Sequence, residues 1–294
     1  MISIDPKDTP VPQLHQYLVG AVAPRPIAFV STVDEDGRPN LAPYSFFNVF
    51  SSNPATCVFS SNRRVSNGTT KDTLHNVEAT GECVINMVNY DMVRQMALCS
   101  VEFPAEINEF EMSGLTPVPA ELVRPARVEE SPVQMECRVK QILPLGDEGG
   151  AGHLVICEIL RIHLRETILD EEGRIHPQKI DLMGRMGRAF YTRASGESVY
   201  TIFQNVRADV IGFSALPASA RNSTVLTGND LGRLASLEAI PSRAAIDEAG
   251  KDEVVQAELA GKTPLEGLHR QAQLALAREE LPLAAALVWL ADTL

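Results

Sequence analysis

Between Tyr44 and Thr73 the chain sets hydroxyl, amide and aromatic side chains at the ends of short apolar runs, and then a lysine. Tyr44, Ser45, Phe46 and Asn48 follow one run, Ser60, Ser61 and Asn62 close the next, and Lys71, Asp72 and Thr73 open a helix. Such a set can recognise a ligand more readily than it can move protons. Donors and acceptors at strand ends can satisfy the polar edge of a flat heteroaromatic ring, and Tyr44, Phe46 and Phe47 can cover its faces. A lysine and a threonine at a helix start supply a cation, a hydroxyl and free N–H groups, which a phosphate needs. The combination suits a flat aromatic ring carrying a phosphate tail. Taken singly, each member has a plainer reading. Lys71 and Asp72 can be solvated first-turn charges, Ser60-Ser61-Asn62 a self-bonded loop, and Phe46 and Phe47 core. The co-occurrence in one short stretch carries the argument.

Other chemistries find little support. No P-loop and no GxSxG nucleophile elbow is present, and Gly149-Gly150-Ala151-Gly152 fits a hairpin loop tip better than a dinucleotide fingerprint. The six histidines form no HExxH or other i, i+4 pair; His163 reads as hydrogen-bonded structure, and His75 is a weak candidate for phosphate contact. Five cysteines (Cys57, Cys83, Cys99, Cys137 and Cys157) are scattered without a CxxC pair, so they read as reduced core residues, and no metal is expected. A net charge of -12 argues against nucleic-acid and anionic-membrane partners. No apolar run is long enough to span a bilayer, and residues 1–8 lack signal-peptide features, so a cytoplasmic location is expected.

The elements that must position these residues are mostly strands. Ile27–Thr32 is β-rich, and Asp36-Gly37 marks a hairpin into Leu41–Tyr44. Thr56–Ser60 and Glu82–Met87 read as further strands. Val133, Met135, Cys137 and Val139 alternate with polar residues, predicting a strand with one wet face. Leu154–Leu164 is nearly all apolar and predicts a strand buried on both faces. Helices are expected over the first 23 residues (with Leu14, Leu18 and Tyr17 inward), from a Thr69 or Thr70 cap to Gly81, and over Asp91–Leu98, with a helical turn at Ile107–Met112. Short strands with few helices between them predict a closed or split antiparallel barrel. Beyond residue 205 the character is α-helical: a cap at Asn229-Asp230, a run at Asp252–Ala260, and a capping box at Thr263-Pro264-Leu265-Glu266. The last helix, Leu283–Asp292, is apolar on most sides and is expected to dock on the barrel or on a second subunit. The domains expected are 1–204 and 205–294.

Five segments belong together: Pro24-Arg25-Pro26-Ile27-Ala28-Phe29-Val30-Ser31-Thr32, the Asp-Gly hairpin, Asn40-Leu41-Ala42-Pro43-Tyr44-Ser45, Lys71-Asp72-Thr73 with Asn76, and Ile180-Asp181-Leu182-Met183-Gly184-Arg185-Met186-Gly187-Arg188 leading to Tyr191. With them the chain resembles the flavin reductase-like, flavoredoxin-type family of FMN-binding split barrels. The motifs come in the family's order over roughly residues 10–200. The resemblance implies a mainly β, Greek-key-like antiparallel split barrel with flanking helices, FMN as cofactor, and a homodimer with FMN near the interface. Carried over by position, Tyr44, Ser45, Phe46 and Asn48 would line the isoalloxazine. Ser60, Ser61 and Asn62 would approach the ribityl and phosphate region, and Lys71, Asp72 and Thr73 would complete the phosphate cradle. Arg185 and Tyr191 would lie near the pocket. Family members often carry glycines and an aromatic where this chain has Met186-Gly187-Arg188-Ala189-Phe190, which bears on the substrate side.

The expected activity is an NAD(P)H:flavin reductase, with hydride passing from nicotinamide to FMN and no side chain required as acid or base. The acceptor would be a small molecule or a flavin, with a monooxygenase as a further partner. Two alternatives stand beside it. One is a flavoprotein that keeps FMN and reduces a protein partner or an organic substrate; the other is a flavin-binding module without turnover.

Overall fold

The computed structural model describes residues 1–202 and 209–294. Internal contacts divide the chain into two units, Met1–Tyr200 and Thr201–Leu294. The boundary expected at residues 204/205 lies outside the described residues.

The first unit opens with α1 (Val11–Ala21), followed by β1 (Ala28–Val33), β2 (Pro39–Tyr44), β3 (Phe47–Ser52) and β4 (Ala55–Asn62). Next come α2 (Asp72–Thr80), β5 (Glu82–Met87), α3 (Val93–Leu98) and α4 (Glu109–Ser113). A small hairpin of β6 (Pro117–Val118) and β7 (Arg127–Val128) precedes the long strands β8 (Val133–Pro144) and β9 (Gly152–Leu164). The unit ends with α5 (Pro177–Ile180), β10 (Met183–Arg185) and β11 (Tyr191–Arg193). Seven strands form one antiparallel sheet in the order β2-β1-β5-β8-β9-β4-β3. Its two edges, β2 and β3, are joined directly through Ser45 and Phe46, and the Ser60 N–H donates to the Phe46 carbonyl at 2.8 Å. A sheet whose edges meet across so short a link is a split barrel, with its seam at Ser45-Phe46.

Packing follows from the pleat. Val30, Tyr44, Phe59, Ile85 and Val155 fill the interior, and Ile27, Phe29 and Leu41 on the other face pack under Met92 and Met96 of the α3 segment and Phe110 of α4. β1 is therefore covered on both faces. Four of the thiols (Cys57, Cys83, Cys137 and Cys157) belong to the interior cluster, with the Cys83 and Cys157 sulfurs 3.9 Å apart, and all five cysteines are free and buried. The Asp36-Gly37 turn forms as the sequence predicts, with Gly37 at φ 85° and its N–H bonded to the Asp34 carbonyl at 3.1 Å.

Some expectations are corrected. In α1, Tyr17 and Leu18 are exposed, and the inward face is Leu14, His15 and Val19. In α2, Lys71 is the N-cap residue, and neither Thr69 nor Thr70 caps; the Thr70 hydroxyl instead pairs with His75 at 2.6 Å. In β8 the face expected to be wet is half covered. Glu136 is fully buried and accepts from the Glu121 and Leu122 N–H groups at 2.9 and 2.6 Å, and Gln134 is bonded by Arg127 at 2.7 Å. The 116–130 segment lies over that face and supplies polar partners, so alternation misjudged which side meets water. The far end of β9 is open, with Ile162 and Leu164 exposed.

The second unit is all-α: α6 (Ala218–Arg221), α7 (Gly228–Ala235), α8 (Arg243–Ala249), α9 (Glu253–Leu259), α10 (Pro264–Ala277) and α11 (Leu281–Ala291). The apolar α11 is covered from within its own unit, where Ala284, Ala285, Leu287 and Val288 share a core with Leu234 of α7 and with Leu268, Ala272 and Leu276 of α10. Thr263 forms no side-chain cap, and its backbone (φ -132°, ψ 66°) departs from the β-region geometry usual at an N-cap. At α7 the cap residue is Thr227 and not Asn229 or Asp230 as expected, and Asp230 closes a capping box with it. The Thr227 hydroxyl accepts from Asp230 N–H at 3.2 Å, and the Asp230 carboxylate accepts from Thr227 N–H at 2.8 Å. Thr227→Ala is expected to cost the helical unit about 1 kcal/mol. Unchanged urea unfolding of that variant would contradict the cap.

Among the described residues, no helix is long and apolar enough to cross a membrane.

Candidate functional site

The seam of the barrel opens into a cavity of about 340 Å³. It is built by four structural events. β2 ends at Tyr44, and the chain crosses to β3 through Ser45 and Phe46, so both side chains stand at the split. β4 ends at Ser60 and Asn62, which share one side of the strand, and the Ser60 hydroxyl donates to the Asn62 amide oxygen at 2.8 Å. Lys71, at the N-cap of α2, brings its ammonium over the Tyr44 ring at 4.9 Å. Arg185 of β10 reaches the opposite wall.

The strand period decides which expected residues join the lining. Tyr44, Ser45, Phe46, Ser60, Asn62, Lys71 and Arg185 do so. Ser61 points the other way, fully buried, and its hydroxyl has no partner. Thr73 is buried beneath α2 and accepts from the Asn40 amide at 2.8 Å; that amide also reaches Thr32, as does Asn76, so Thr73 ties α2 to the sheet. Asp72 is half-buried in the first turn of α2, outside the lining. Asn48 is exposed on the edge strand and accepts from its neighbour's N–H (Val49) at 2.8 Å. Tyr191 lines an adjoining hollow shared with Tyr44, Ser45 and Arg185, where the Arg185 guanidinium stacks 4.5 Å above its ring.

The sequence reading missed part of the wall: His15, Gln16 and Val19 of α1, Arg25, and Met186 and Arg188 of the β10–β11 turn. Arg25 matters most. It is 6% exposed, and its guanidinium donates to the carbonyls of Val19 at 2.5 Å, Val22 at 2.7 Å and Met186 at 3.1 Å, with Nε 3.4 Å from the Ser45 hydroxyl. Its backbone also pairs both ways with Arg185. One buried side chain thus joins α1, the seam and the β10–β11 hairpin.

The electrostatics of the cavity oppose those of the whole chain. Arg25, Lys71, Arg185 and Arg188 line it, and no carboxylate does, although the chain carries -12 overall. Burial and the neighbouring Arg64 push the Lys71 ammonium below its ordinary pKa, and burial with the nearby Arg185 does the same for Arg25. Desolvated cations facing a concave space favour an anion there. Three buried polar atoms lack partners, the hydroxyls of Tyr44 and Ser61 and Nε of Arg63 in the loop between β4 and α2, and of these residues Tyr44 lines the cavity. Gly152 is needed at the wall, because a Cβ there would meet the Ser60 hydroxyl at 2.6 Å. A ring with polar edges and a phosphate tail fits this donor set.

Burial pushes the Tyr44 phenol up to about 12; the Thr73 and Ser61 hydroxyls oppose that rise, yet neither makes a well-formed hydrogen bond to it. The folded value lies above the ordinary one of about 10. The associated stability is therefore complete below pH ~10 and is lost as pH rises toward about 12. Tyr44→Phe removes an unpaired polar atom, so the cofactor-free protein is expected to be no less stable, or up to about 1 kcal/mol more stable, and to lose that alkaline dependence. Destabilisation by more than about 1 kcal/mol would show that the hydroxyl is satisfied.

Comparison with known proteins places these features in context. Residues 20–181 match the model of the flavin reductase like domain. An uncharacterised protein from Aquifex aeolicus is 40% identical over 191 residues, covering 65% of this chain and 95% of that protein. Among solved structures, nitrilotriacetate monooxygenase component B from Bacillus cereus superposes with a TM-score of 0.63 at 30% identity, covering 70% of this chain and 98% of that one. The 2-nitrobenzoate 2-nitroreductase of Pseudomonas fluorescens superposes with a TM-score of 0.60 at 28% identity, covering 70% and 99%.

Proposed function

The chain belongs to the flavin reductase-like domain family, and we propose that it is an FMN-binding NAD(P)H:flavin reductase. The observation that carries this reading is the cationic, carboxylate-free cavity at the barrel seam of an acidic chain, with an aromatic wall beside it. When bound there, FMN would supply a ring that accepts two electrons as hydride and a phosphate for anchoring. Lys71 and the N-terminus of α2 would hold the phosphate, Ser60 and Asn62 would bond the ribityl hydroxyls, and Ser45, Phe46 and Tyr44 would orient and cover the isoalloxazine. Arg185 and Arg25 would offset negative charge at the ring edge. No acid or base is required of the protein, because hydride transfer needs position and charge stabilisation.

Stopped-flow reduction of the FMN-loaded protein by NADH and NADPH tests the reading. Bleaching of the flavin absorbance by either nucleotide is expected, whereas a protein that holds FMN but is inert to both would be a binding module. Two destinations for the electrons follow from the relatives. Similarity to a monooxygenase component supports delivery of reduced flavin to a partner monooxygenase, and similarity to a nitroreductase supports direct reduction of an organic molecule. A homodimer is part of the proposal, supported by the edge strand β3, which exposes Val49 and Phe50. Light scattering should then report twice the 32.0 kDa chain mass.

A further inference from the structure

A second hollow, of about 560 Å³, opens directly beside the cofactor cavity and shares Gln16, Met186 and Arg188 with it. Its other walls are aromatic: Tyr17 of α1, and Phe190 and Tyr191 of the β10–β11 hairpin, all partly exposed. The hairpin turn is held in place. Met186 N–H bonds the Phe190 carbonyl at 3.0 Å, Phe190 N–H bonds the Gly187 carbonyl at 3.2 Å, and Arg25 grips Met186 from beneath. Gly187 lets the turn lie close against α1, since a Cβ there would stand 3.2 Å from the Gly20 Cα. Arg188 takes a left-handed backbone at φ 57° and sets its guanidinium 6.0 Å from the Phe190 ring centre.

The charges in this hairpin differ in a telling way. Arg193 is saturated by Asp181 through two bonds of 2.7 Å. Among the described residues, Arg185 and Arg188 have no carboxylate partner, and no Asp or Glu lines the hollow. An aromatic floor with an unpaired planar guanidinium at its rim, opening onto the cofactor cavity, matches one ligand chemistry. We propose that this hollow binds a planar aromatic carboxylate, its ring against Phe190 and Tyr191 and its carboxylate paired with Arg188. The geometry favours a carboxylate because guanidinium pairs with it through two parallel N–H bonds, and it favours an aromatic because stacked rings and a guanidinium over a ring reinforce one another. The role of the hollow as the second reactant's seat rests on the flavin reading; the binding itself does not.

The test is calorimetric titration of the purified full chain, with and without added FMN, using benzoate, the neutral isostere benzamide, and acetate. Benzoate should bind, and benzamide and acetate should each bind about tenfold more weakly or worse. Arg188→Gln should lower benzoate affinity by about tenfold and leave benzamide unchanged, and Phe190→Ala should weaken benzoate and benzamide together. Benzamide binding as well as benzoate, acetate binding as well as benzoate, or an undiminished benzoate affinity in Arg188→Gln would each overturn the proposal. Arg188 and Phe190 are exposed, so both variants should keep the parent melting curve. Failure to take up FMN while benzoate still binds would overturn the flavin reading and leave the aromatic site standing.

Discussion

Replacing Arg25 by alanine is expected to lower the stability of the barrel unit by about 3–5 kcal/mol, since three carbonyls lose a charged donor at about 1–3 kcal/mol each. The guanidinium serves three backbone carbonyls, those of Val19 and Val22 at the end of α1 and that of Met186 in the β10–β11 turn. Its loss takes a charged donor from one buried and two part-buried carbonyls and opens a void at the seam. Lysine has three donors on one compact ammonium and lacks the spread of the guanidinium fork, so Arg25→Lys should fall between wild type and Arg25→Ala. Urea unfolding followed by far-UV circular dichroism would measure this, with the barrel transition analysed separately from that of the helical unit. A loss below about 1 kcal/mol would show that solvent replaces the guanidinium and that the seam does not depend on it.

The second large effect falls on ligand binding. Lys71→Ala is expected to weaken FMN binding by about 1.5–3 kcal/mol, the scale of a hydrogen bond to a charged group. The ammonium is half-buried, lies over the Tyr44 ring and is held below its ordinary pKa by burial, so it gains more from an anion than a solvated lysine would. Riboflavin lacks the phosphate, so its affinity should be nearly the same in the variant and the parent. Fluorescence quenching titrations with both ligands separate a lost phosphate contact from a damaged cavity. Equal loss for FMN and riboflavin would remove the phosphate role.

The parts of this fold that sequence made legible are those governed by short-range rules. The Asp36-Gly37 hairpin follows from a glycine able to take positive φ, and Glu82–Met87 coincides with β5 because its apolar run ends at sharp local signals. β3 escaped notice because Phe47–Ser52 mixes Asn48, Ser51 and Ser52 with apolar residues and, as an edge strand, buries almost none of them. Gln134 and Glu136 read as solvent-facing, yet a segment close in sequence folds over them and bonds them. Covering of this kind leaves no mark on strand periodicity.

The candidate site divides along the same line. Ser45, Ser60, Asn62 and Lys71 could be nominated because strand ends and helix starts are recognisable locally. The distinction between Ser60 and Ser61 needed the register of β4, since one residue turns a side chain from the cavity to the interior. Thr73 carries the right chemistry for a phosphate, but its hydroxyl is engaged by Asn40 beneath the helix. The cations Arg25 and Arg188 reach the cavity from segments 163 residues apart in sequence, as their numbers show, and only the folded barrel brings them to one hollow. The glycine-rich loop likewise reads as a bare turn until Gly152 is seen against the Ser60 hydroxyl.

A crystal structure of the protein grown with FMN tests the central claim most directly. The account predicts the phosphate beside Lys71 at the start of α2 and the ring system against Ser45 and Phe46 at the seam. FMN bound away from this cavity, or a cavity left empty at saturating FMN, would contradict it.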